Sequence, residues 1–384
     1  MSKPSPPAVQ DDAVAGWRAD PYLHFGAKGF FNPHTNAHLA SDHPWHPTLW
    51  ELAVTRIELT ELGDDELRGL ADEHWLVPLG EDIDRRYLIK YVSIEALALC
   101  NHGCYFCPVS FAPREPTRMP TELFERVIGE IAALGHPIEG VVMNHYNEPT
   151  ADSRYLDQVR CIMDAGLPAA TLTNGTGMTP GRVDSLLEMG GLNYLSVNIS
   201  SLDRDRYKEQ RGKDHLPLVL ANLDYMATRP VAETMDLVVL GTGDQAHHDE
   251  FEPIAERFAD TRFEVKLFEV NDRAGYLDLG LKAEGDDGCL GGCEQMGSRP
   301  INHIHISARG RCILCCQDYN ERWEVGDLHT QSLEEILSGD EFARMRRWTY
   351  GLEEAPRDFL CRTCNYSLRR PVAIGNGGGG ASDS

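Results

Sequence analysis

The sequence predicts an α/β protein: a partial (β/α)6 TIM-like barrel followed by a small C-terminal domain built around cysteines. Two observations predict this. From Tyr87 to Val270, apolar segments of strand length alternate with amphipathic segments of helix length, the pattern of parallel βα units. After Val270 the alternation stops, and seven of the 11 cysteines fall between Cys289 and Cys364, among glycine-rich turns such as GCLGGC and ARGRC.

The elements follow in order. YLIKYVSIEAL reads as the first strand. PTELFERVIGEIAALG is a helix with Leu123, Val127, Ile128 and Ile131 on one side. Strands IEGVVMNHY, AATLTNGT, LNYLSVNIS, ETMDLVVLGT and FEVKLFEV follow. The helices between them are SRYLDQVRCIMDAG, TPGRVDSLLEMG, HLPLVLANLDYMATR and DEFEPIAERFAD. Six strands suit an open or partial barrel better than a closed one of eight. Chemistry in such folds gathers at the C-terminal ends of the strands. The expected division is a disordered start (1–14), an irregular and helical N-terminal extension (15–86), the barrel (87–275), the cysteine-rich domain (276–370) and a disordered glycine-rich tail (371–384). The extension is rich in His and Trp, including His24, His34, Trp45, Trp50 and Trp75. Their spacing fits no metal motif, so packing and surface roles are expected. DDELRGLADEHWLV within it reads as a short helix and an extended segment.

Composition limits the function. The net charge of −24 argues against a nucleic-acid partner, whose phosphates call for dense Lys and Arg. No apolar run reaches the roughly 18 residues that span a bilayer, and the first residues have no apolar signal core. A cytoplasmic protein is expected, with reduced thiols, so the cysteines point to metal rather than to disulfides. Cys161 lies on a helical pattern and reads as a small buried apolar residue.

Cys100, Cys104 and Cys107 form C-x3-C-x2-C directly after the first strand, at the end where chemistry is expected. A structural zinc site takes four ligands, usually as two spaced pairs. Three clustered thiolates instead suit three irons of a [4Fe–4S] cube, leaving the fourth iron open. The run resembles the signature of the radical S-adenosylmethionine (SAM) enzymes, C-x3-C-x-aromatic-C, with Phe106 at the aromatic position. The resemblance continues at successive strand ends over residues 88–275. NHYNEPT resembles the Gly-Gly-Glu-Pro segment that holds the SAM amino group, through Tyr146, Asn147, Glu148 and Pro149, although the Gly-Gly pair is replaced. TLTNGT, with Thr173 and Asn174, resembles the Thr-Asn-Gly after the third strand. SVNISSLDRDRYKEQRG resembles the fourth-strand segment that approaches the ribose and carboxylate of SAM, here through Ser196, Asn198, Ser200 and Arg211. The resemblance implies a SAM-binding [4Fe–4S] cluster on Cys100, Cys104 and Cys107. It also implies a 5′-deoxyadenosyl radical that abstracts hydrogen from a C–H bond, and an external donor of the flavodoxin or ferredoxin type.

The distal segment, from HISARGRCILCCQD to CRTC, resembles the C-terminal extension of SPASM and twitch radical SAM proteins, in which a hairpin and a helix wrap an auxiliary [4Fe–4S] cluster. No cysteine follows Cys364, which implies the shorter twitch form with one such cluster. Cys293, Cys315, Cys361 and Cys364 fit its spacing best, with Cys289 and Cys316 as alternatives to the first two. All-thiolate zinc is the competing reading of these pairs. Cys316 and then Cys312, in the expected hairpin, are candidate hydrogen donors for an epimerase, and simple burial is the alternative for each. The expected activity is C–H abstraction from a sugar or aminocyclitol, ending in epimerisation, to which the spare thiols incline the reading, or in dehydrogenation. A peptide substrate is the alternative. A non-catalytic iron–sulfur electron carrier is the alternative of another class, and it would not need the Asn-Glu-Pro or Ser/Arg segments.

Overall fold

The computed structural model describes residues 16–279 and 289–370. The disorder expected at residues 1–14 and 371–384 lies outside the described residues.

The N-terminal section is ordered. Strand β1 (Trp17–Ala19) is followed by an antiparallel meander of β2 (His24–Gly26), β3 (Gly29–Asn32) and β4 (Ala37–Ala40). Two helices, α1 (His46–Thr55) and α2 (Asp65–Asp72), lead to β5 (Leu76–Pro78), which pairs with β1. Leu23, Phe30, Leu39, Leu49, Leu70 and Trp75 form a separate core here. The extension is helical in part as expected, with α2 and β5 at DDELRGLADEHWLV, while the stretch expected to be irregular holds short strands. Its strands are only three or four residues long, too short for alternation to be read. Gly29, at φ +114°, makes the first turn of the meander possible, because a Cβ there would lie 2.1 Å from the Leu39 carbonyl oxygen. The histidines serve packing and polar contacts: His34 Nδ1 lies 3.2 Å from Asp20 Oδ2, and His24 Nε2 lies 2.7 Å from the Tyr350 hydroxyl.

The βα series follows as expected. It runs β6 (Tyr91–Ile94), α3 (Thr121–Ala133), β7 (Gly140–Val142), α4 (Tyr155–Asp164), β8 (Ala169–Thr173), α5 (Pro180–Glu188) and β9 (Leu192–Ile199). It continues with α6 (Arg204–Arg211), α7 (Leu216–Met226), β10 (Ala232–Gly241), α8 (Gln245–Phe258) and β11 (Glu264–Glu269). The six strands are parallel neighbours in sequence order. Their outward residues, such as Leu195, Val197, Leu237 and Val239, are fully buried against the helices. The inward residues include polar ones: Asp236 accepts hydrogen bonds from the Tyr194 hydroxyl at 2.6 Å and from Lys266 Nζ at 2.9 Å.

Beyond β11 lie β12 (Leu290–Cys293), α9 (Arg299–Asn302), β13 (His303–Ile306), β14 (Arg311–Ile313), β15 (Glu324–Asp327), α10 (Leu333–Leu337), α11 (Asp340–Thr349) and β16 (Ser367–Arg369). The expected hairpin is β13–β14. It is also part of the main sheet, because β13 adds in parallel to β6 and extends the six strands to nine, in the order β11-β10-β9-β8-β7-β6-β13-β14-β15. The one helix that the resemblance implies beside the hairpin is here two helices, over SLEEILSGDEFARMRRW, parted at Ser338 and Gly339. Ser332 and Glu335 close a capping box on the first of them. The Gly339 position is tight: a Cβ would lie 2.8 Å from the Glu335 carbonyl oxygen.

Candidate active site between two cysteine sets

The proximal cysteine loop rests on the C-terminal end of α6. Asp203 caps the start of that helix by accepting from the Arg206 amide at 2.9 Å. Gly212 ends it at φ +67°, where a Cβ would lie 2.6 Å from the Gly103 carbonyl oxygen, so a glycine is needed for the loop to close on the helix. The Gly103 and Tyr105 amides then donate to the carbonyls of Arg211 and Gln210 at 2.9 and 3.1 Å. Cys100, Cys104 and Cys107 are all free thiols. Burial pushes Cys100 up to about 12 and also raises Cys107.

Arg211 serves this loop directly. Its Nε donates to Ser200 Oγ at 2.9 Å, its Nη1 lies 3.9 Å from Cys104 Sγ, and its guanidinium stands 5.1 Å from the centre of the Phe106 ring. Its Nη2 is buried with no partner among the described residues. Ser196 is buried and Asn198 half-buried on β9, while Ser200 closes the strand end.

Glu148 is the hinge of the adjoining loops. Its carboxylate accepts from Thr173 Oγ1 at 2.6 Å, Asn174 N at 2.7 Å, Thr150 N at 3.1 Å and Thr150 Oγ1 at 2.5 Å. Burial nevertheless raises its pKa. The Glu148 amide donates to the Leu99 carbonyl, and Asn174 Nδ2 to Asn101 Oδ1. The first three strand ends and the cysteine loop are therefore one hydrogen-bonded unit. The side chains of two expected cofactor-binding residues are engaged within the protein. Asn147 Oδ1 accepts from the His145 amide at 2.9 Å and folds its own loop. Tyr146 points to the C-terminal hairpin, its hydroxyl donating to the Cys316 carbonyl at 2.5 Å.

The distal set assembles from three segments. Cys293, Cys315, Cys361 and Cys364 are all buried, whereas Cys289 is exposed. Burial raises Cys293, Cys361 and Cys364, with the neighbouring cysteines adding to it, while at Cys315 a hydrogen bond with Cys316 comes first and burial adds to it. Cys316 lies beside Cys315, and the sulfurs of both sit within 4.8 Å of a His305 ring nitrogen. Arg299 Nη1 is 3.6 Å from Cys315 Sγ and also donates to Cys316 Sγ. Cys312 does not join them. It is fully buried in the apolar core, with Glu324, Asp327 and Glu130 as its nearest charges, which removes it from the expected mouth of the barrel. The strand turns its side chain to the opposite face from the site.

Between the two sets lies a layer that the sequence did not reveal. Glu95, at the end of β6 and wholly buried, accepts from Arg114 Nη2 at 2.5 Å and from the Tyr146 amide at 3.2 Å. Arg114 also donates to Glu321 at 2.9 Å and stands 5.6 and 5.3 Å from the Tyr146 and Tyr319 ring centres. Arg273 stands 5.5 Å from the Tyr146 ring. His303 and His305 face inward from β13, their rings stacked at 3.9 Å, with His303 Nε2 2.9 Å from Ser93 Oγ. The two-residue spacing of HIHI was the one available signal for these histidines. The arginines carried none.

Both sets fit iron–sulfur clusters. Each is dominated by thiols, with a His305 nitrogen beside two of the distal sulfurs, and each is next to a guanidinium that would offset cluster charge. The first has three cysteines where the second has four buried ones at the expected spacing and Cys316 beside them.

Comparison with known proteins agrees with this chemistry. Residues 94–257 match the radical SAM superfamily and residues 293–365 match an iron–sulfur cluster-binding domain of the SPASM type, together well over half of the chain. The S-adenosyl-L-methionine-dependent 2-deoxy-scyllo-inosamine dehydrogenase of Niallia circulans is 22% identical over 287 residues, 72% of this chain and 93% of that protein. The PqqA peptide cyclase of Ruegeria pomeroyi is 29% identical over 109 residues, 28% of each. SuiB of Streptococcus suis, solved bound to the precursor peptide SuiA, shares the fold at a TM-score of 0.54 and 12% identity, over 86% of this chain and 90% of that one. Among the described residues no helix is long and apolar enough to cross a membrane. SAM, a [4Fe–4S] cluster and an auxiliary iron–sulfur cluster are the cofactors these domains bring, and the chain is a member of the radical SAM superfamily with a C-terminal SPASM-type domain.

Proposed function

We propose that this enzyme oxidises a CH–OH carbon of a polyhydroxylated small molecule, a sugar or cyclitol, to a carbonyl. The observation that carries the reading is the facing of the two cysteine sets across Tyr146, Arg273 and the polar barrel interior, so that a substrate between them borders both. When bound, SAM and the two clusters supply the radical that removes one hydrogen atom and an acceptor for one electron. Cys100, Cys104 and Cys107 would hold the first cluster, and Cys293, Cys315, Cys361 and Cys364 the second. Arg211 and Ser200 would orient SAM from the fourth-strand side. Glu148 would accept from the SAM amino group while its own hydrogen bonds fix its rotamer. Oxidation of CH–OH also releases a proton; His145, His303 and His305, which burial and nearby positive charge hold in the neutral form, would relay it from the same interior without keeping it.

Similarity to a dehydrogenase over 93% of its length favours dehydrogenation over epimerisation. Cys316 supports the same choice, since its sulfur already accepts from Arg299 instead of standing free as an S–H donor. Modification of a ribosomally made peptide is the second reading. It is favoured by the PqqA peptide cyclase similarity and by an N-terminal module with its own core.

The test uses anaerobic, reduced enzyme with SAM and a panel of sugars, cyclitols including 2-deoxy-scyllo-inosamine, and peptides. The expected product is two mass units lighter than its substrate, carries no deuterium from deuterated water and forms one-to-one with 5′-deoxyadenosine. A product of unchanged mass with one deuterium on carbon would establish the epimerase instead.

A further inference from the structure

The acidic chain concentrates positive charge at one internal point. The three charges that bear most on the His145 ring are the guanidiniums of Arg114, Arg273 and Arg299, and the ring is wholly buried beside the Cys316 backbone. Two of these cations are accounted for. Arg114 is paired with Glu95 and Glu321. Arg299 faces the sulfurs of Cys293, Cys315 and Cys316, whose negative charge it would offset with a cluster in place.

Arg273 is different. The groups that bear on it are Tyr146, Cys316, Cys107 and Arg299, with no carboxylate of the described residues in an ion pair with it. Its Nε is buried and unpartnered among the described residues. Its sulfur neighbours are Cys107 of the proximal set and Cys316, which lies beside the distal Cys315, and its guanidinium stands on Tyr146 in the space assigned above to the substrate. The chain takes an unusual path to put it there. Arg273 and Ala274 both adopt φ +55°, a region L-residues seldom occupy, and Gly275 follows at +81°. The turn is held by Leu277 N to the Asp272 carbonyl at 2.8 Å. It is latched to the C-x2-C segment by Thr363 Oγ1, which donates to the Ala274 carbonyl at 2.7 Å. Strained backbone persists where its surroundings over-determine it, and it clusters at ligand clamps. Arg273 is half-buried with its Nε shut off from water, and a guanidinium so placed calls for an anion, since its planar fork matches carboxylate and phosphate oxygens.

We propose that Arg273 is the anchor of an anion-binding subsite, with Arg114 beside it on Tyr146, and that the substrate carries a carboxylate or a phosphate monoester. This rests on the placement of substrate between the two cysteine sets. It sets the chain apart from its Niallia circulans relative, whose name gives it an amine-bearing cyclitol, because an ammonium group would meet the uncompensated Arg273 guanidinium here.

The test measures binding without turnover, so that it can fail while the radical chemistry stands. Anaerobic, oxidised holoenzyme with SAM bound is titrated calorimetrically with myo-inositol, myo-inositol 1-phosphate, glucuronate and 2-deoxystreptamine. At least one anion should bind tenfold or more tightly than myo-inositol, and 2-deoxystreptamine no more tightly than myo-inositol. Whether the phosphate or the uronate shows the gain identifies the group. Arg273→Gln should abolish the tenfold preference while leaving iron content and SAM affinity within twofold of the parent. Arg273→Lys should retain part of it. Anions that bind no better than myo-inositol to the parent enzyme, a preference that survives Arg273→Gln, or tighter binding of 2-deoxystreptamine would each overturn the proposal. The ranking on the parent enzyme decides the matter even if a variant fails to fold.

Discussion

The two cysteine sets reach similar chemistry by opposite routes. The proximal three lie within residues 100–107 on one loop, and that loop is fixed by contacts to other strand ends: Arg211, Asn174 and the Glu148 amide. The distal four are drawn from residues 293–364 and meet only because β12 pairs with β16 and β13 joins β6. The first is a local motif placed by the barrel. The second is a product of the domain's tertiary fold. Loss of ligands should therefore leave the barrel intact at the proximal site, whereas at the distal site it should loosen the packing of α11 and β16 around it.

The largest expected effect separates the two. Replacing Cys100, Cys104 and Cys107 by Ala should abolish 5′-deoxyadenosine formation, a loss of about 1,000-fold or more, because electron delivery to SAM depends on that cluster. Cys361→Ala with Cys364→Ala should leave SAM cleavage measurable but stop oxidised product. Equal loss of SAM cleavage in both variants would erase the distinction between the sets.

Glu148 gives the next largest effect. Glu148→Gln should weaken SAM binding by about tenfold, worth roughly 1.4 kcal/mol, with iron content unchanged. Glu148→Ala should also lower stability by about 1–3 kcal/mol, since the donors of Thr173, Asn174 and Thr150 would lose their buried acceptor. Unchanged SAM affinity in Glu148→Gln would remove the carboxylate from the cofactor site. Chemical denaturation of the Ala variant reads the stability term.

The smallest effect contrasts two nearby thiols. Cys312→Ala should cost about 1 kcal/mol, as for other small deletions in a packed core, and leave iron, SAM cleavage and product formation as in the parent. Cys316→Ala removes a sulfur next to Arg299 and should change the electron paramagnetic resonance signal of the distal cluster without removing it. Loss of iron from Cys312→Ala, or an unaltered signal in Cys316→Ala, would reverse these assignments.

Much of the barrel was legible because its signals are local. Each of the six strands and their helices carries its own period, and the C-x3-C-x2-C loop its own spacing. The N-terminal meander escaped notice because strands such as His24–Gly26 are shorter than any readable alternation. Cys312 and Cys316 could not be told apart in sequence, since which face of a short hairpin meets the core depends on its partner strand. Arg114, Arg273 and Arg299 lie in loops and at the start of a short helix, where no periodicity marks an inward direction; only the assembled fold brings them to His145.

The most direct test of the account counts iron in three forms of the protein, each reconstituted anaerobically with iron and sulfide. With two separate four-iron sites, the parent should bind about eight irons, the Cys100/Cys104/Cys107 triple-Ala variant about four, and the Cys361/Cys364 double-Ala variant about four. A parent that saturates at about four irons, or a triple-Ala variant that keeps the parent's full iron content, would contradict the claim that two cysteine sets hold two clusters on either side of one substrate.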